Sequence, residues 1–195
     1  MAERNVAWAA LAALLAGGAL LLHGVDSRLI DWQPALAWRE PWRAFSAVFV
    51  HYSALHLGAN LAGAALVGLL GVVARVPLRS AVAWCAAWPL TQMSLLVQPE
   101  LLHYGGLSGV LHAGVAIVAV HLLFAGRAGQ RRIAIAMLAV LAAKVLSETP
   151  WRGPLRFPAG WDIAVAPMAH ASGVLIGAVA SGLAEAWHCR RARTT

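Results

Sequence analysis

Residues 101–126, LLHYGGLSGVLHAGVAIVAVHLLFAG, hold no Asp, Glu, Lys or Arg. A run of this length crosses ~30 Å of hydrocarbon as a helix, because lipid offers no partner to an unpaired backbone amide. The Gly105-Gly106 pair marks a turn, so the helix is expected to begin near Ser108. Its first N–H groups then lack partners within the helix, and the positive end of the helix dipole lies beside the Ser108 hydroxyl. A serine at the head of a buried helix, freed by Gly106 and Gly109, is where an intramembrane nucleophile would sit. Alone, Gly-x-Ser-Gly says little, since small residues also serve helix packing in membranes.

Outward from this run the pattern repeats. Uncharged stretches cover 5–25, 44–74, 80–99 and 163–184, and a shorter one, 133–143, continues past Lys144 to Ser147. Lys144 near its end can snorkel its ammonium to the interface. Apolar residues make up 61% of the chain and charged ones 12%, and the mean hydropathy is +0.70, far from soluble norms. The expectation is an all-α polytopic membrane protein with six transmembrane helices in one bundle, 1–195 forming a single domain. Arg4 before an apolar run resembles a signal peptide, but no small-residue cleavage site follows Val25 and five more spans do. It reads as the first transmembrane helix.

Basic residues orient the bundle. With a cytoplasmic N-terminus, the inner segments hold Arg4, Arg75, Arg79, Arg127, Arg131, Arg132, Arg190, Arg191 and Arg193, nine of the fifteen. Asp26, Asp31, Glu40, Glu100, Glu148 and Asp162, six of the eight acids, then lie outside. The positive-inside rule puts both termini in the cytoplasm. The net charge of +7 suits anionic lipid and implies no nucleic-acid partner, being split among short loops. Cys85 falls inside a span and Cys189 at the cytoplasmic end, so they are not expected to pair, and neither has metal-ligand spacing.

Polar groups inside spans are costly and usually functional. Besides Ser108 they are His56 with Asn60, four apart and so on one helix face, and His170. His56 and Asn60 can donate to one oxygen, as an oxyanion site requires. Asn60 has a plainer reading as an interhelical hydrogen bond. Two histidines compete as base. His112 follows Ser108 by one turn on the same helix, whereas His170 sits on the last span, roughly 10 Å from its outer end at 1.5 Å per residue. Gly173 and Gly177 would let that span pack closely on the Ser108 helix. A base on a facing helix can aim a ring nitrogen at the serine more freely, which favours His170 and leaves His112 structural or on the substrate side. Lys144 and Glu148 read as an ordinary ion pair. The loop Asp26–Arg43, with Trp32, Trp38 and Trp42 among charges, suits the outer membrane interface. A second loop rich in Pro and Trp (Pro150, Trp151, Pro154, Pro158, Trp161) would cap the site or gate it.

Taken together, these residues resemble the rhomboid intramembrane serine proteases over essentially the whole chain. The matches are Trp42-Arg43 leading to Phe45, His51, His56-x-x-x-Asn60, Gly106-x-Ser108-Gly109 and Ala169-His170-x-x-Gly173-x-x-x-Gly177, in the family's order. The resemblance implies a Ser108–His170 dyad, an oxyanion hole of His56, Asn60 and the Ser108 amide, no metal, no cofactor and no carboxylate partner. A narrower likeness, carried by Gly106-Leu107-Ser108-Gly109-Val110-Leu111-His112, is to the bacterial rhombosortases, although Ala113 stands where that branch usually has glycine. It implies an inner-membrane location and membrane-anchored substrates with a C-terminal tag: a Gly-Gly-containing stretch, an apolar helix and a basic end. Rival readings are an inactive relative that binds membrane clients, and a b-type haem protein using two of His51, His56, His112 and His170. A small transporter is disfavoured by acid-free spans and the absence of an inverted repeat.

Overall fold

The computed structural model describes residues 6–194. Among them the regular structure is helical, with no β-strand. The α-helices are α1 (Val6–Leu21), α2 (Ser27–Ile30), α3 (Arg43–Ser46), α4 (Ala54–Val73), α5 (Leu78–Met93), α6 (Ser108–Ala125), α7 (Ala128–Ser147) and α8 (Pro167–Thr194). Arg4, expected on the cytoplasmic side, lies outside the described residues.

Among the described residues four helices are long and apolar enough to cross a membrane: α4, α5 with the 3-10 turn that extends it to Val97, α6, and α8 as far as Ala192. Of the other long helices, α1 has only 16 residues, and α7 carries Arg131, Arg132 and Lys144 within its 20. The uncharged stretch 44–74 is not one helix. It holds α3, a 3-10 turn at Ala47–Phe49, and then α4, because Ser53 adopts an extended backbone and its side chain accepts a hydrogen bond from the His56 N–H. That is an N-cap, and it sets where α4 begins. The stretch 101–126 divides as expected, with irregular chain up to Leu107 and helix from Ser108.

α6 is the axis of the molecule, with 67% of its spanning window buried against 39% for α4 and α8. Tryptophans fasten its neighbours. Trp8 of α1 stacks on Trp84 of α5 with ring centroids 4.3 Å apart. Their indole N–H groups donate to the Val67 carbonyl of α4 (3.0 Å) and the Val110 carbonyl of α6 (2.8 Å). Each buried ring thereby keeps its polar edge satisfied.

Helix α8 approaches α6 more closely than side chains allow. A Cβ on Gly173 would land on the Gly109 carbonyl oxygen, and one on Gly177 would come within 2.5 Å of the Ala113 carbonyl oxygen. Only missing side chains permit this contact, and it brings the head of α8 against the head of α6.

The first loop is held by its own hydrogen bonds. Arg43 is buried, and its guanidinium donates to the carbonyls of Arg28 and Asp31 (3.0 Å each) and to Glu40 (2.5 Å). Asp31, also buried, meets His103 at 2.8 Å. Trp32 exchanges both backbone hydrogen bonds with Tyr104 and is itself buried, so of the three loop tryptophans only Trp38 and Trp42 are exposed. Gly106 N–H donates to the Ala47 carbonyl (2.9 Å). The loop thus pins the segment that delivers Ser108. Alternating helix directions put the heads of α4, α6 and α8 and the tail of α7 at one end of the bundle. Arg75, Arg79, Arg127, Arg131, Arg132, Arg190 and Arg191 gather at the other.

Candidate active site

Ser108 is the first residue of α6. Leu107 before it offers no side-chain cap, so the amides of the first turn have no acceptor from that quarter. Gly106 approaches in a backbone conformation (φ +132°) that L-residues rarely adopt, and a Cβ there would lie 2.8 Å from His56 Nε2. Both facts demand glycine, and both bring His56 of α4 beside the serine turn.

His170 faces Ser108 from the first turn of α8. Its Nε2 lies 2.9 Å from Ser108 Oγ, and the ring is buried. Nδ1, on the far side, lies 2.7 Å from Glu148 Oε2. This corrects the expectation that no carboxylate partners the histidine. The spans are not acid-free either, since Glu185 is buried on α8, but the acid that meets His170 is Glu148, just beyond the end of α7. Lys144, one turn earlier, pairs with Glu148 Oε1 (2.6 Å) as expected, and its ammonium lies 3.4 Å from His170 Nδ1. Burial works to raise the Glu148 carboxyl, but hydrogen bonds and charge from His170 and Lys144 outweigh it and hold it down at about 2. Glu148 is therefore ionised wherever the protein is expected to work.

His112 stacks on His170 with ring centroids 4.3 Å apart and planes within 16°. Its Nδ1 is 2.7 Å from the Ser108 carbonyl oxygen, one turn back on α6. That bond and the stacking hold its face, not its edge, toward His170.

His56 and Asn60 are buried on α4, and both line a cavity of about 470 Å³ together with Ser108, His112 and His170. Among the described residues Asn60 Nδ2, a donor, and His56 Nδ1, a donor in one tautomer and an acceptor in the other, are buried without a hydrogen-bond partner. A buried donor without an acceptor is costly, and a ligand oxygen would relieve it. His51 packs its ring 4.8 Å from that of His56. The loop after α7 adds Leu155, Pro158 and Trp161 to the cavity wall, and its Asp162 accepts from Ser53 Oγ at 2.8 Å. That bond ties the loop to the head of α4.

A hydroxyl on an imidazole, an imidazole on a carboxylate, and buried unsatisfied donors round one cavity can move a proton and hold a developing negative charge. Sequence reasoning missed Glu148. Its trace was the i, i+4 spacing from Lys144.

The fold and site define a multi-pass helical membrane protein with a serine–histidine centre at one end. The Rhomboid domain profile matches residues 38–185, and the chain belongs to the rhomboid family, whose members are generally serine intramembrane proteases. No curated protein matches the chain.

Proposed function

We propose that this chain is a six-span rhomboid protease, one domain over 1–195, in a bacterial inner membrane with both termini cytoplasmic. The observation that carries the activity is the 2.9 Å contact of Ser108 Oγ with His170 Nε2 beside a cavity. Ser108 Oγ bonds to the scissile carbonyl carbon as its proton passes to His170 Nε2. The tetrahedral oxyanion draws on Asn60, His56 and the Ser108 amide at the head of α6. As the C–N bond breaks, His170 returns the proton to the leaving amine. Water then attacks the acyl ester as His170 takes its proton; the bond from Ser108 Oγ to the acyl carbon breaks, the proton passes from His170 to Oγ, and the carboxylic product leaves. Orientation rests on the arginines gathered at the end opposite the site. Counting α1 and α7 as spans makes six, with Lys144 and the α7 arginines at interfacial ends.

The substrate class follows from the rhombosortase-like run Gly106–His112: membrane-anchored proteins ending in a Gly-Gly-containing stretch, an apolar helix and basic residues. Protein reconstituted in liposomes with one such substrate and one lacking the Gly-Gly stretch tests it. The tagged substrate should be cut by wild type and not by Ser108→Ala. Equal cutting of both substrates would remove the rhombosortase assignment, and cutting by Ser108→Ala would remove the mechanism.

A further inference from the structure

Two charged groups compete for one nitrogen. His170 Nδ1 lies 2.7 Å from a carboxylate oxygen of Glu148 and 3.4 Å from the ammonium of Lys144. A carboxylate only accepts, so it selects the tautomer with hydrogen on Nδ1 and a lone pair on Nε2 facing Ser108. An ammonium only donates, so it selects the opposite tautomer, with hydrogen on Nε2. In that form His170 has no lone pair to take the serine proton. The shorter contact belongs to Glu148, which also engages the ammonium through its other oxygen at 2.6 Å.

We infer that Glu148 is a positioning residue of the reaction: it holds His170 in the base-competent tautomer and keeps Lys144 from inverting it. This rests on the serine-protease reading and adds a third member to the dyad. During acylation the carboxylate also faces the imidazolium formed when Nε2 accepts the Ser108 proton, and steadies it without taking a proton itself. The His112 ring, stacked on His170, does not compete for Nδ1 of His170, because its own Nδ1–H donates to the Ser108 carbonyl. Lys144 lies on α7 and Glu148 at its C-cap, and of α7 only Ala134 and Leu141 are buried, so the element that orients the base is the least buried of the long helices.

The test is the rate at which a fluorophosphonate inactivates detergent-purified full chain, resolved into the maximal inactivation rate and the half-saturating concentration. Loss of an orienting carboxylate costs serine proteases up to about 10⁴, and for a side chain still 23% exposed about 10²-fold is expected in Glu148→Ala. The loss should fall on the maximal rate and not on the half-saturating concentration. Lys144→Ala should stay within a few-fold of wild type, and Glu148→Ala with Lys144→Ala should recover at least tenfold over Glu148→Ala alone. A structural role for the ion pair would make the double variant no better than the single. Glu148→Ala at the wild-type rate, or no recovery in the double variant, overturns the inference. If Glu148→Ala fails to give a cooperative melt, the near-isosteric Glu148→Gln carries the test: a slowed maximal rate supports it and a wild-type rate overturns it. Failure of wild type to label any more than Ser108→Ala would instead sink the serine-protease reading beneath it.

Discussion

Asn60 Nδ2 is buried without a partner, and its desolvation is compensated only when an acceptor enters the cavity. If that acceptor is an oxyanion, Asn60→Ala should lower turnover by ~10²–10³ with little change in KM, as removal of one such donor typically does. His56→Ala should act alike, and the double variant should lose less than the product, since both donors serve one oxygen. Turnover per folded molecule, with a thermal melt on the same sample, separates this from a bundle-holding role. A lower melting point at normal turnover would contradict it. His112→Ala should retain measurable turnover; complete loss in folded protein, with activity surviving in His170→Ala, would reverse the two histidines. At this scale the meeting of Ser108 and His170 was legible, because both stand at the heads of glycine-rich apolar runs. Glu148 was not. Its reach depends on where α7 ends relative to α8, which no spacing within one helix encodes.

Among elements, the α6–α8 contact decides whether the two halves of the site meet. Gly173→Ala sets a Cβ on a main-chain oxygen that cannot move aside, and overpacking of this kind costs ~1–3 kcal/mol. It should lower the melting temperature and slow Ser108 labelling together. Gly182→Ala, further along α8 with open space round its Cβ, should do neither. A Gly173→Ala protein indistinguishable from wild type in both would mean that the close approach is unimportant. The glycine spacing that builds this contact was readable from the sequence. The break of 44–74 into α3, a 3-10 turn and α4 was not, since neither charge nor proline interrupts the stretch. The Ser53 cap and the Gly106–Ala47 bond, one of them long-range, set it.

At the scale of the whole molecule, the end opposite the site carries a surplus of arginines, whereas at the site end acids balance the bases. Cys189, exposed near the far end of α8, reports which side the arginines face. In a Cys85→Ser background it is the only thiol. A membrane-impermeant maleimide should then label it in inside-out vesicles and spare it in intact cells. Labelling confined to the outer face would invert the orientation and put the cavity on the cytoplasmic side. The overall class was legible from composition alone, because so apolar a chain has no other way to satisfy its backbone in lipid.

The most direct measurement is the site of covalent modification by a fluorophosphonate, mapped by peptide mass spectrometry on protein in lipid. An unassisted serine hydroxyl is a poor nucleophile at neutral pH, so modification marks an activated one. The expected adduct is on Ser108 in wild type, with none in His170→Ala or Ser108→Ala protein that melts normally. An adduct on another residue, or undiminished modification of Ser108 without His170, would contradict the Ser108–His170 account.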